Sequence, residues 1–418
     1  MRVINRIAIL ISVAAMFLPA FAAAPKLQTL YSFAGGTDGW APWASLVSDG
    51  AGNLYGTTRY GGSDVDCLNT GLTGCGTVFK LSPPSKKGGA WKETVLYRFS
   101  GADGVFPAAG LVRDQAGNLY GTTYEGGTFN GVCSNAFIDF GCGVVFELSP
   151  QAGGTWTENV LYAFTGQSDG GFPLANLVFD ASGNLYGTTQ AGGDYLGCGC
   201  GTVFELSPNG SQGWIETVLY QFQSGFDGAF PMAGVIFDQT GNLYGTTEAG
   251  GTMGPGTVFE LMPPQTQGGT WTENILYSFS ASGEPYGGVI FDKAGNLYGT
   301  TSWPKGNVFE LTPSAGVWTE TTLYAFGSTH ISMPLAGVIL DSVGNLYGTA
   351  IGGDFCGGVF RLQPHSGSWN EAELDFFTSH NGPCSPAAAL TFGKFGGVYG
   401  TTTGGGTGNL GAVFAIYQ

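Results

Sequence analysis

Seven near-copies of one heptapeptide, four short apolar runs in each interval and two chain ends that complete one another predict an all-β fold. The expected architecture is a seven-bladed β-propeller with four-stranded antiparallel blades, the last blade closed by the N-terminal strand. The copies run from Gly52 to Thr58 (GNLYGTT), Gly117 to Thr123, Gly183 to Thr189, Gly241 to Thr247 and Gly295 to Thr301. Two weaker copies follow, Gly344 to Ala350 and Gly397 to Thr402. A unit of this size is one supersecondary element that cannot bury its apolar surface alone, so neighbours must stack.

In the third unit the runs are Ala175 to Phe179, Asn184 to Thr189, Thr202 to Leu206 and Glu216 to Phe222, here strands a, b, c and d. Asp180 to Asn184 joins a to b as a hairpin turn, with Gly183 free to take positive φ and Asp180 placed to accept from the turn amides. A Ser-Pro turn and a Trp-x-Glu triplet (Trp214-Ile215-Glu216) separate c from d, and the triplet recurs at Trp91, Trp156, Trp271, Trp318 and Trp369. Runs such as Leu-Val-Phe and Val-Phe-Glu-Leu are apolar on both parities, so each sheet is covered on both faces, and only neighbouring sheets can supply that cover. Abundant glycine is expected to let the backbones of neighbouring blades approach. No stretch keeps a helical period with caps.

The ends decide closure. Leu27 to Phe33 reads as a strand d with no a, b or c before it, and Gly411 to Ile416 as a strand c with no d after it; joined, they make the seventh blade and remove the sheet edges of an open array. Ahead of them, Arg2 and Arg6, the apolar stretch Ile7 to Leu18 and the small residues after Pro19 predict a cleaved signal peptide over residues 1–24, leaving a single propeller domain over 25–418. No later segment is long and apolar enough for a membrane span. The mature chain is expected to be exported, periplasmic or extracellular, and monomeric.

Taken together, Asp180-Ala181-Ser182-Gly183-Asn184-Leu185-Tyr186-Gly187-Thr188-Thr189, then Gly201 to Leu206, Trp214-Ile215-Glu216 and Leu219-Tyr220-Gln221-Phe222 resemble the Gloeobacter/Verrucomicrobia tandem repeat of exported bacterial proteins. The resemblance covers nearly all of residues 27 to 416. It implies export and, in many members, one of several C-terminal anchors, where this sequence stops inside a strand c. It implies no particular activity. The D-x-x-G-N-L-Y segment is also similar to that of NHL-type and lyase-type propellers, at the level of fold.

Thirty acidic residues against 14 basic ones, with a sequence pI near 4.4, exclude the electrostatic attraction that drives non-specific binding to nucleic acid or acidic membrane surfaces. Without residues 1–24 the balance is 12 basic to 30 acidic, a net charge of −18. A residue present in every blade is explained by blade geometry, whereas a ligand site needs different groups converging. The aspartates of the a–b turns (49, 114, 180, 238, 292 and 341) and the Trp-x-Glu tryptophans therefore read as turn caps and as packing over the c–d hairpin.

The d–a and b–c loops share one face, and that face holds the variable sequence. Its candidate ligand-binding residues are Asp38 and Trp40, Asp103 and Phe106, Asp169 and Phe172, and Asp227 and Phe230, which together could take a cation, a sugar or a cationic peptide. The competing account of these loops is a repeated Asp-Gly turn. All eight cysteines lie on the same face; Cys67–Cys75, Cys133–Cys142 and Cys356–Cys384 are expected disulfides, with Cys198 and Cys200 left open because one glycine between them makes a tight ring. Zinc held by His330, His380, Cys356 and Cys384 is the disfavoured alternative, since an oxidised sulfur is a poor ligand, and no cofactor is expected.

No nucleophile elbow, Ser-His-Asp set or phosphate-cradling loop appears. Two functions stay open: a binding or scaffolding protein for a glycan, peptide or cell-surface partner, and a polysaccharide-acting hydrolase or lyase using acidic loop residues as acid and base. A deep acidic pocket on the axis would favour the second.

Overall fold

The structure, a computed structural model, describes residues 25–417 apart from 64–65, 68–72, 87, 130–131, 135–139, 194–196, 267, 281–282, 328–330, 353–355 and 379–381. The expected signal peptide, residues 1–24, lies outside the described residues. Seven four-stranded antiparallel sheets form a seven-bladed β-propeller, with two 3₁₀ turns and no α-helix among the described residues. Blade 3 is typical: Val178–Phe179, Leu185–Thr189, Thr202–Pro208 and Trp214–Gln221, each paired to the next in chain order. Blade 7 takes its strands a, b and c from Thr391–Phe392, Val398–Thr402 and Ala412–Tyr417, and its strand d from Lys26–Ser32, in register from Lys26 opposite Tyr417 to Ser32 opposite Ala412.

The heptapeptide forms strand b, and its five LYGTT-type residues are buried in every blade. Each position has a separate task. The glycine makes room for a ring: Gly187 pairs with Phe204 of strand c, and a Cβ on Gly187 would lie 2.6 Å from the Phe204 ring and 2.9 Å from Leu177. In this strand the close approach that glycine permits is that of a side chain within one blade; the expected approach of neighbouring backbones occurs at the axis, where a Cβ on Gly234 would meet the Asn176 carbonyl oxygen and one on Gly287 the Gly337 amide nitrogen.

The first threonine ties one blade to the next. Its hydroxyl donates to a carbonyl of the following blade's axial segment, at Ala109, Ala175, Ala233, Gly287, Ala336 and Ala388, and from Thr401 of blade 7 to Ala44 of blade 1, over 2.8–3.4 Å. These seven bonds close the ring.

The core lies between blades. The phenylalanine that follows each strand d packs edge-to-face on the strand c phenylalanine of the next blade, as Phe164 does on Phe204, with centroids 5.1–5.2 Å apart in all seven seams. A fully buried phenylalanine contributes about 1.5–3 kcal/mol, so this chain of rings is a large share of what holds the blades together.

Two sequence expectations are corrected in detail. Strand a is shorter than Ala175 to Phe179, because Leu174–Leu177 leave the ladder to line the axis. The Trp-x-Glu rings also reach beyond their own c–d hairpins: Trp91, Trp214 and Trp369 meet Tyr399, Tyr120 and Tyr298 of the preceding blade, with centroids 6.1–6.4 Å apart, because the groove between blades offers more apolar surface than the hairpin.

Candidate binding site at the axial mouth

The aspartates of the d–a loops turn away from the axis toward their own strands d. Asp38 accepts from the Tyr31 hydroxyl (2.9 Å) and the Ala34 amide, and Asp103 from the Tyr97 hydroxyl (2.6 Å) and from the amide and hydroxyl of Ser100. Asp169, 8% exposed, accepts from Tyr162 (3.0 Å) and from the amide and hydroxyl of Thr165. Asp227 accepts from Tyr220 (3.1 Å) and the Gln223 amide. In each loop one carboxylate pins the end of strand d to the turn that follows it.

The glutamate of the next blade's Trp-x-Glu triplet lies beside each of these aspartates. Burial first, and then the adjacent aspartate, push Glu93, Glu158 and Glu216 up to about 7 and Glu273 up to about 8. Oε1 of each is buried with no donor among the described residues, as suits a carboxyl that holds its proton near neutral pH. The a–b turn aspartates are likewise engaged with their own turns. Asp49, for example, accepts from the amides of Ala51 and Asn53, the Asn53 side chain and the Tyr55 hydroxyl, and these bonds hold its carboxyl below the ordinary range against the opposing effect of burial.

The axis itself is apolar. A cavity of about 380 Å³ runs between the segments that precede strands a, walled by alanine, glycine, leucine, valine and isoleucine, with Trp43 and Tyr286 as its largest side chains. The deep acidic pocket that would favour catalysis is not what the described residues place there.

The residue that immediately follows the heptapeptide differs from blade to blade (Arg59, Tyr124, Gln190, Glu248, Ser302, Ile351 and Thr403), and the first four stand beside Trp43 and Tyr286 at one end of the cavity. The first four carry different chemistry on adjacent blades. The Arg59 guanidinium sits over the rings of Trp43 (5.5 Å), Tyr60 (5.6 Å), Tyr124 (5.7 Å) and Phe106 (5.9 Å). Trp40 stacks on Tyr60 at 4.3 Å, Tyr60 meets Phe106 edge-on at 5.0 Å, and Tyr124 lies 5.2 Å from Phe172 and donates to Gln190 Oε1 at 3.0 Å.

Tyr286 of blade 5 reaches the same place. Burial, then Glu248, then Tyr124 raise its hydroxyl to about 12, while Arg59 opposes them. Burial pushes Glu125 up to about 7 against the pull of Arg59, and burial with Glu284 raises Glu248.

Of the sequence-predicted candidates, Trp40, Phe106 and Phe172 are thus gathered around the mouth, Phe230 packs into the seam beside Cys200 and Val235, and the four aspartates stand behind the loops. Sequence reasoning missed Arg59, Tyr124, Gln190, Glu248 and Tyr286. The signal of the first four was the position after GTT at which the repeat breaks; Tyr286, just before strand a of blade 5, had none.

All four disulfides are formed, including Cys198–Cys200, which the sequence left open. Three close within b–c loops, while Cys356–Cys384 joins the b–c loop of blade 6 to the d–a loop that enters blade 7. Cys356 and Cys384 are therefore unavailable to zinc, and His330 and His380 lie outside the described residues.

The Gloeobacter/Verrucomicrobia repeat matches this chain in four overlapping stretches, residues 20–133, 65–302, 127–354 and 265–418. The chain belongs to the Gloeobacter/Verrucomicrobia repeat family. No curated protein matches it. Among solved structures it is similar to the extracellular domain of a "putative one component system" from B. thetaiotaomicron (14% identity, 94% of this chain and 42% of that one, TM-score 0.53). It is also similar to a "putative 6-phosphogluconolactonase" from Bacteroides fragilis (13% identity, 80% and 85%, TM-score 0.50) and to a protein of unknown function from Dyadobacter fermentans (10% identity, 94% and 99%, TM-score 0.46). At these identities the likeness to the first two shows the propeller fold alone.

Proposed function

We propose that this family member is an exported binding propeller that takes a glycan at the axial mouth of its loop-rich face. The observation that carries the reading is convergence. Residues that differ from blade to blade, Arg59, Tyr124, Gln190 and Glu248, meet Tyr286 and the Trp40–Tyr60 stack at one opening. Among the described residues no protein group hydrogen-bonds the side chains of Arg59, Glu248 or Tyr286, so they are available to a ligand. Aromatic faces beside mixed donors and acceptors suit a sugar, which offers an apolar ring face and a rim of hydroxyls.

Export is supported by the signal-like residues 1–24 and by four disulfides, which persist in oxidising compartments. Among the described residues no helix is long and apolar enough to cross a membrane.

A second reading, a polysaccharide-acting hydrolase or lyase, draws on Glu125, whose carboxyl is held near 7 as a general acid requires. Titration of the protein against a panel of oligosaccharides, with product analysis of each mixture, separates the two. The binding reading expects saturable binding with no new products, turnover would replace it with the second, and neither binding nor turnover would end both.

A further inference from the structure

Arg59 is out of pattern in this chain. Acidic residues outnumber basic ones 30 to 14, yet no carboxylate lies within ion-pair distance of its guanidinium among the described residues, and its Nε is buried without an acceptor. Leaving a buried charged donor unmade is costly. The four surrounding rings offset the charge but leave Nε without an oxygen acceptor. The guanidinium N–H groups match the two oxygens of a carboxylate. Glu125 does not take that place: it influences Arg59 electrostatically but forms no bond with it, and its own Oε2 is buried without a donor. Beside one opening therefore stand an Arg59 Nε without an acceptor and, within its electrostatic reach, a Glu125 Oε2 without a donor, with the Gln190 side chain and the Tyr286 hydroxyl near Tyr124 and Arg59.

We infer that the mouth recognises a single uronic-acid residue, its carboxylate on Arg59 and its hydroxyls on Glu125, Gln190 and Tyr286, with Trp40 and Tyr60 beside the sugar ring. This rests on the binding reading above and goes further by naming the ligand's charge. A sugar is favoured over a peptide because the Trp40–Tyr60 stack beside Arg59 offers flat ring faces that suit the apolar face of a pyranose. One uronate is favoured over a polyuronate because a mature chain with net charge −18 repels a polyanion at long range.

Calorimetric titration of glucuronic- and galacturonic-acid-terminated disaccharides, their methyl esters and their neutral counterparts tests this. The acid should bind roughly tenfold tighter than its ester, the ratio one charge-assisted hydrogen bond supports. Arg59→Gln should erase that preference, bringing acid and ester to equal affinity. If the variant does not fold, the acid-to-ester ratio on the native protein still decides. Equal binding of acid, ester and neutral sugar overturns the inference and leaves the binding reading standing, whereas no binding of any of them defeats both. N-acetylated dipeptides with a free carboxylate that bind as tightly as the uronides would overturn the assignment to a sugar.

Discussion

Asp169 and Arg59 are both charged residues in loops of the same face, and the structure uses them in opposite ways. Asp169 accepts three hydrogen bonds from its own strand and turn, and the same arrangement recurs at Asp38, Asp103 and Asp227. Arg59 has no counterpart in any other blade, and its guanidinium Nε is buried without an acceptor among the described residues. Repetition marks groups whose bonds are made inside the blade; departure from it marks groups left open to something else. The seams and the mouth should therefore respond differently to substitution, the first through stability and the second through affinity.

The largest effect should come from the seams. Phe204→Ala removes a fully buried ring from one link of the phenylalanine chain and should cost about 3–5 kcal/mol, read as a fall in the denaturant midpoint. A loss under about 1 kcal/mol would show that the rings are not what joins the blades. Gly187→Ala should cost about 1–3 kcal/mol through overpacking against Phe204 and Leu177. Asp169→Ala strands the hydroxyls of Tyr162 and Thr165 and should lower stability by about 1–3 kcal/mol with ligand affinity unchanged. Lost affinity with full stability would reverse the comparison.

The seams should also report pH. Glu93, Glu158, Glu216 and Glu273 have folded values above their unfolded ones, so their stabilisation is complete below about 4.5 and is lost as pH rises through 7 to 8. Asp49, Asp238 and Asp341 are held low, so their stabilisation is present at neutral pH and is lost only as pH falls below the ordinary carboxylate range. Tm should thus be highest near pH 5 and fall by a few degrees toward pH 8.5, and Glu273→Gln should flatten that slope. A Tm rising across the interval would show that these glutamates are ionised in the fold. The smallest stability change belongs to the mouth: Trp40→Ala should move Tm little, since that ring is only half-buried, while weakening glycan binding.

Much of the fold was legible because its determinants are local. GNLYGTT specifies a strand that opens from a tight turn, and the complementary ends specify closure before any coordinates; that its glycine lies against a strand c ring was not part of that local signal. The roles of the d–a aspartates were half legible. A tyrosine stands six or seven residues before each one, as Tyr162 does before Asp169, but nothing local says that the two side chains meet. The mouth was not legible. Arg59, Tyr124, Gln190 and Glu248 stand on blades 1 to 4, 58 to 66 residues apart in sequence, and only the folded ring brings Arg59, Tyr124 and Glu248 within electrostatic reach of Tyr286 of blade 5. A single unrepeated residue beside a repeated motif resembles ordinary loop variation until the axis is known. The inward turn of Leu174–Leu177, which shortens strand a, has the same origin, since seven segments converge there and no ladder can hold them all.

The most direct test of the division between seams and mouth is amide hydrogen exchange with and without the tightest-binding oligosaccharide. Slowed exchange is expected at residues 59–60, 124–125, 190–191 and 248–249, with 92–98, 156–163 and 214–221 unchanged. Protection confined to those outer strands, with the mouth unaffected, would contradict the account.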